Sequence, residues 1–138
     1  MIVVDTNTIA HLYLPTAETP NVEQLLARDR VWIAPRLWRS EFRNILALHL
    51  RKRLVDFDAA CQMQRQAEAL MPANEYELDS LSVLSAVEKS ACSAYDCEFA
   101  SLAQSLGTRL ITSDQKWIKA FPDLAMTAKD FVWRSHGL

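Results

Sequence analysis

The sequence predicts an α/β fold: a mostly parallel sheet with helices on both faces. Three observations carry this. Short apolar runs stand at 2–4, 31–34, 110–112 and 124–126, the first three rich in β-branched or aromatic residues. Stretches with helical periodicity and capping residues separate them. The chain has 138 residues, half of them hydrophobic and 23% charged, which suits one domain of ordinary composition (about 100–200 residues per domain). Strands that alternate with helices favour parallel pairing with the helices packed outside.

The elements follow in order. Ile2-Val3-Val4 is a buried strand ending at Asp5. A short helix covers roughly Thr8–Leu14 and stops at Pro15. Thr19-Pro20 looks like an N-cap with Pro at the first helical position, opening a helix to about Arg28. Val31–Ala34 is the second strand, closed by Pro35. Residues 36–53 form a long helix. Asp56 caps another to about Leu70, ended by Pro72. Asp79–Lys89 is helical by pattern. Ser93 caps a helix to Leu106, with Gly107 just past its end. Leu110–Thr112 is the third strand, Gln115–Ala120 a short helix, and Leu124–Met126 the fourth strand. Thr127-x-x-Asp130 caps a last turn. No repeat, linker or low-complexity stretch interrupts the run, so residues 1–138 read as a single domain.

Scarce residues exclude whole function classes. The two glycines, Gly107 and Gly137, cannot build a phosphate loop or a dinucleotide fingerprint. Cys61, Cys92 and Cys97 form no Cys-x-x-Cys, and the three histidines form no His-Glu-x-x-His, which argues against a zinc site. The start MIVVD leaves no secretory h-region, and no apolar run reaches the ~18–20 residues of a membrane span. The expectation is a cytoplasmic protein with free thiols and no membrane partner.

The net charge of −2 hides a segregation. Residues 28–53 carry eight Lys/Arg against two acids, a net +6; residues 54–108 carry two against nine, a net −7. Such patches read either as solvated helix faces or as a basic surface for a polyanion. Arg36, Arg39 and Arg43 recur at helical spacing within the basic stretch and are candidates for holding the phosphates of such a polyanion.

Four carboxylates stand out. Ligands of open parallel sheets sit beyond the C-terminal ends of the strands. Asp5 ends the first strand, and Asp114 lies just past the third. Each also reads as a helix N-cap. Glu41 falls within the apolar stripe Leu37, Trp38, Phe42, Ile45 and Leu48, where an unpaired carboxylate is costly unless a base or a cation faces it. Asp96 fits a capping box with Ser93 and also lies at the inner edge of its helix. Acids gathered at one strand-end cavity repel one another, by about 4 kcal/mol for a pair ~4 Å apart at a dielectric of ~20. A divalent cation relieves this, and all-oxygen donors favour Mg²⁺ or Mn²⁺. Asn7, Thr112 and Ser113 add neutral oxygens beside the acids.

These residues carry a resemblance. Val4-Asp5-Thr6-Asn7, Ser40-Glu41-Phe42-Arg43-Asn44, Ser93-Ala94-Tyr95-Asp96 with Leu102-Ala103 behind it, and Leu110–Asp114 resemble, in order and spacing, the motifs of PIN-domain ribonucleases. They are similar above all to the compact VapC-type toxins of VapBC toxin–antitoxin pairs. The resemblance spans nearly the whole chain. It implies a PIN-like three-layer α/β/α sandwich on a four- to five-stranded, mostly parallel sheet. It implies an acidic metal site of Asp5, Glu41, Asp96 and Asp114 supported by Asn7, Thr112 and Ser113, with Mg²⁺ or Mn²⁺ as cofactor. It also implies endoribonuclease activity leaving 5′-phosphate and 3′-hydroxyl ends, a homodimer, and a higher-order complex with a cognate antitoxin. Cys97, where a small residue is common, and the extra acid Glu98 depart from the pattern without removing a ligand.

Other readings compete. A non-catalytic PIN-fold module for RNA or protein would have no need of all four acids. A phosphohydrolase using an Asp-x-Asp nucleophile is disfavoured by Asp5-Thr6-Asn7. A PIN nuclease with another nucleic-acid substrate, including structured DNA, stays open, although 138 residues leave little room for strand-threading insertions. A restraining partner with acidic or aromatic residues would suit Arg36, Arg39 and Arg43. Leu12, Tyr13 and Leu14 are either part of an apolar groove for it or ordinary core.

Overall fold

The computed structural model describes residues 1–71 and 75–136. Five strands form one sheet: β1 (Ile2–Val4), β2 (Trp32–Pro35), β3 (Glu75–Tyr76), β4 (Leu110–Ile111) and β5 (Ala125–Met126). Their spatial order is β3-β2-β1-β4-β5, and every pairing is parallel. β1 lies at the centre, with Val3 opposite both Ile33 and Leu110. Both edge strands are two residues long.

Eight helices surround the sheet among the described residues: α1 (Thr6–Tyr13), α2 (Thr19–Arg28), α3 (Trp38–Arg51), α4 (Phe57–Leu70), α5 (Ser80–Glu88), α6 (Ala94–Leu106), α7 (Gln115–Ala120) and α8 (Ala128–His136). α6 packs against β1, β2 and β4, and α5 packs on α6; α1 packs on α2, α3 and α4, and α2 on α8. The result is the expected α/β/α sandwich, with the sheet buried on both faces as parallel sheets require. Ile2, Val3, Trp32, Ile33, Leu110 and Ile111 from the sheet meet Ile9, Leu25, Trp38, Phe42 and Phe99 from the helices, all essentially inaccessible to solvent.

Local chemistry explains the helix ends. Asp56 and Asp79 cap α4 and α5 through Ala59 N and Ser82 N, and Asp130 N donates to Thr127 Oγ1 at the start of α8. Gly107 ends α6 at φ +63°, the left-handed position that favours glycine.

Some expectations are corrected. Thr19 is not an N-cap but the first residue of α2; its hydroxyl donates to His11 O and accepts from Thr16 N. Leu48 leaves the apolar stripe of α3 for solvent, and Leu46 takes the buried place. Leu14 belongs to the core, with Leu12 and Tyr13 packed against it, so they form no exposed groove. Pro72 and Gly137 lie outside the described residues.

β3 has no apolar run to announce it. It is held by side chains of α3: Arg39 binds Glu75 through Nε at 2.5 Å and Nη2 at 2.8 Å, and Trp38 Nε1 donates to Glu75 Oε2 at 2.9 Å. Arg39 Nη1 also binds Glu68 on α4 at 2.7 Å. One guanidinium thus ties α3, α4 and β3 together. Arg39→Ala leaves the largely buried Glu75 carboxylate without its charge partner, so it is expected to cost about 1–3 kcal/mol of stability, read as a lower Tm.

Candidate active site

The sheet order changes direction at β1, where the chain crosses first to β2 and later to β4 on the other side. Such a switch point opens a crevice at the C-terminal edge of the strands. α1, α3 and α7 follow β1, β2 and β4, so they begin at that edge. α6 runs back toward the start of β4 and begins there too. Each of these four helices carries one acid in its cap or first turn: Asp5, Glu41, Asp114 and Asp96. The topology converts four acids scattered over 110 positions into the lining of one open cavity of about 470 Å³. The positive ends of helix dipoles favour negative charge at these positions.

Asp5 forms the floor and is almost fully buried. Its Oδ1 accepts from Thr8 N at 2.8 Å and Thr8 Oγ1 at 2.6 Å, and its Oδ2 accepts from Thr112 Oγ1 at 2.6 Å. Thr112 Oγ1 in turn accepts from Asp114 N at 3.0 Å. One hydroxyl therefore couples the ends of β1 and β4. Burial pushes the Asp5 carboxyl above its ordinary value, against the opposing pull of the Thr112 and Thr8 hydrogen bonds. The cap and the site readings of Asp5 both hold: it caps α1 and lines the cavity.

Glu41 is half-buried and accepts from Thr6 Oγ1 at 2.7 Å. Burial raises its pKa first; the Thr6 hydrogen bond opposes this, and the negative charges of Asp96, Asp5 and Glu98 raise it further. Among the described residues no basic side chain pairs with it. Asp114 is exposed at the rim and caps α7 through Lys116 N at 2.9 Å. Ser93 Oγ accepts from Asp96 N at 3.1 Å, but among the described residues no return bond runs from the Asp96 carboxylate to Ser93. The capping box is half formed, and the carboxylate lines the cavity. Asn7 lines it as well. Thr112 supports from behind, and Ser113 is exposed outside the lining. Glu98 adds negative potential without reaching the cavity.

Sequence reasoning missed several lining groups: Thr6, Ser40, Asn44, Tyr95 and Trp117. The signals were Thr6 beside Asp5, and Ser40 and Asn44, four residues apart on α3, flanking Glu41. Trp117 packs its ring 5.6 Å from Phe99 and closes the cavity from α7.

The donor chemistry fits a hard divalent cation: four carboxylates and neutral oxygens, no thiol or imidazole in the lining. Among the described residues no three Asp, Glu, His or Cys side chains converge closely enough to hold a metal as they stand, so the fit rests on donor type and electrostatics rather than on a ready-made cage.

A stability test follows from the raised carboxyls. A carboxyl with a raised folded-state pKa binds more protons folded than unfolded, so stability falls as pH rises from the ordinary glutamate value of 4.5 through the folded value. In chelator, Glu41→Gln, which keeps an acceptor for Thr6, is therefore expected to melt above wild type at pH 8 by a few degrees, and to lose that advantage below pH 4. Parallel melting curves across this range would disprove the crowding of acids.

Comparison with known proteins agrees with this geometry. The PIN domain family profile matches residues 2–122. Ribonuclease VapC3 of Pyrobaculum aerophilum is 26% identical over 126 residues, covering 89% of this chain and 96% of that protein. The crystal structure of PAE2754 from Pyrobaculum aerophilum superposes with a TM-score of 0.77 at 18% identity, covering 99% of this chain and 90% of that one. A toxin–antitoxin complex from Klebsiella pneumoniae gives 0.67 at 16% identity, covering 93% and 98%. FitAB bound to an IR36 DNA fragment gives 0.70 at 16%, covering 94% and 96%. With its acids gathered at the switch point of a five-stranded parallel sheet and its family profile spanning 2–122, this chain belongs to the PIN-domain family.

Proposed function

We propose that this chain is a divalent-cation-dependent endoribonuclease and the toxin of a toxin–antitoxin pair. The observation that carries the reading is the gathering of Asp5, Glu41, Asp96 and Asp114 around one cavity in a PIN fold. The likeness to Ribonuclease VapC3 supports ribonuclease chemistry, and the likeness to a toxin–antitoxin complex supports a restraining partner. In this reading Asp5, Glu41, Asp96 and Asp114 hold Mg²⁺ or Mn²⁺, with Asn7 beside them and Thr112 orienting Asp5, while Ser113, expected to support them, lies outside the lining. Bound there, the cation supplies water activation and charge neutralisation for phosphodiester hydrolysis.

The chain's own residues do the rest. Thr8 and Thr112 fix both oxygens of Asp5, and Thr6 fixes one oxygen of Glu41, so neither carboxylate has to be ordered when substrate arrives. Arg43 is exposed, with Nη2 3.4 Å from the Oγ of Ser40, a residue of the cavity lining, and Arg36 is exposed in the turn that precedes α3 and not on the helix where the spacing placed it. These two are the phosphate-binding candidates. Arg39, expected to join them, is instead committed to Glu68 and Glu75. Arg43→Ala is thus expected to weaken RNA binding and flatten its salt dependence, by about one phosphate contact, whereas Arg39→Ala acts on stability. No helix among the described residues is long and apolar enough to cross a membrane; the reading places the protein with its RNA in the cytoplasm, as a homodimer that a cognate antitoxin gathers into a larger complex.

The deciding experiment incubates purified protein with single-stranded RNA, duplex RNA and DNA, each with Mg²⁺, Mn²⁺ or chelator. Internal cleavage of RNA that chelator stops is the expected result. DNA cleavage with intact RNA would move the substrate to DNA, and no cleavage with any metal would leave a binding module. Growth on inducing the wild-type gene without its partner would count against the toxin role alone.

A further inference from the structure

The cavity is chemically two-sided. Its floor is carboxylate, but its walls hold Leu37 just before α3, Ile45 from α3 and Tyr95 from α6, with the neutral hydrogen-bonding groups Ser40 and Asn44 beside them. A site for a cation and a phosphodiester alone has no use for this apolar half. Tyr95 is the most conspicuous part of it. The residue immediately precedes Asp96, lines the cavity, and keeps 63% of its surface in solvent. The other aromatic residue of the lining, Trp117, is used by the core, where it packs on Phe99. Tyr95 belongs to no ring pair among the described residues. Neighbouring helical positions diverge by about 100°, so Asp96 and Tyr95 present different chemistry from one turn of α6.

We infer that the ring of Tyr95 is a stacking platform for an unpaired base next to the scissile phosphate, and that Asn44 on α3 reads the edge of that base. This rests on the ribonuclease reading of the same site. Aromatic faces bind bases of any kind by stacking. Asn44, which both donates and accepts, suits a base edge. A cavity of about 470 Å³ admits a group of nucleotide size. A base held in a duplex stack cannot reach the ring, so the platform demands a base already splayed out.

The test measures binding of single-stranded RNA oligonucleotides to the full chain in an Asp5→Asn background, by fluorescence anisotropy. Tyr95→Ala and Tyr95→Leu are expected to weaken binding about 10-fold, and Tyr95→Phe to retain it. An oligonucleotide series with one abasic position at a time should show the loss vanishing at a single position adjacent to the cut. In the active protein, Tyr95→Ala should raise KM more than it lowers kcat, and Asn44→Ala should change base preference at that same position. Equal binding by Tyr95→Ala and wild type, a loss shared by Tyr95→Phe, or a loss indifferent to every abasic position would overturn the platform. If wild type cleaves no RNA, the nuclease reading falls, and the binding series still decides whether Tyr95 holds a base.

Discussion

Asp5→Asn is expected to lower RNA cleavage by at least ~100-fold while the chain stays folded. Loss of a group that merely orients a metal ligand typically costs about 10–100-fold, and Asp5 is in the proposed ligand set itself. The substitution is gentle on the fold. An Asn carbonyl still accepts from Thr8 N and caps α1, and the relief of a buried charge offsets the poorer partner it offers to Thr112. Activity should therefore collapse with a retained circular-dichroism spectrum and a Tm in chelator at or above that of wild type. Wild-type turnover in purified Asp5→Asn protein would remove Asp5 from the chemistry. Unfolding would leave it as a cap alone. The same variant should restore growth to cells that wild type arrests.

Mg²⁺ or Mn²⁺ should raise the Tm of wild type by roughly 10 °C at about 100 times its Kd. A ligand of the native state alone contributes about 2.7 kcal/mol at that saturation, and a domain of this size shifts by about 3–4 °C per kcal/mol. The shift should fall away in Asp5→Asn and shrink in Asp114→Asn. It should also shrink toward pH 4, where the raised Asp5 and Glu41 carboxyls hold their protons and compete with the cation. Identical melting of wild type and Asp114→Asn, with and without metal, would show that the acids do not act together.

Apart from β3, strand and helix order was legible in the sequence because each element carries its own signal. Ile2-Val3-Val4 can only be buried, and Gly107 has no better place than the end of a helix. The four acids were legible because they fall at the positions where a parallel sheet collects ligands. β3 was hidden because nothing local makes Glu75-Tyr76 a strand; Arg39 and Trp38 place it from another helix. The same clamp removed Arg39 from the expected phosphate row, a choice between two partners that helical spacing cannot make. Thr6 escaped because a threonine in the first turn of a helix is unremarkable until Glu41, 35 residues away, is seen to accept its hydrogen bond.

The two-residue edge strands limit how this protein can be held. Glu75–Tyr76 and Ala125–Met126 offer too few open backbone groups to zip an incoming strand onto the sheet. A partner, or a second copy, must instead grip the helices by side-chain fit. Recognition is then written in surface residues, which change easily between relatives, and not in the backbone that they share.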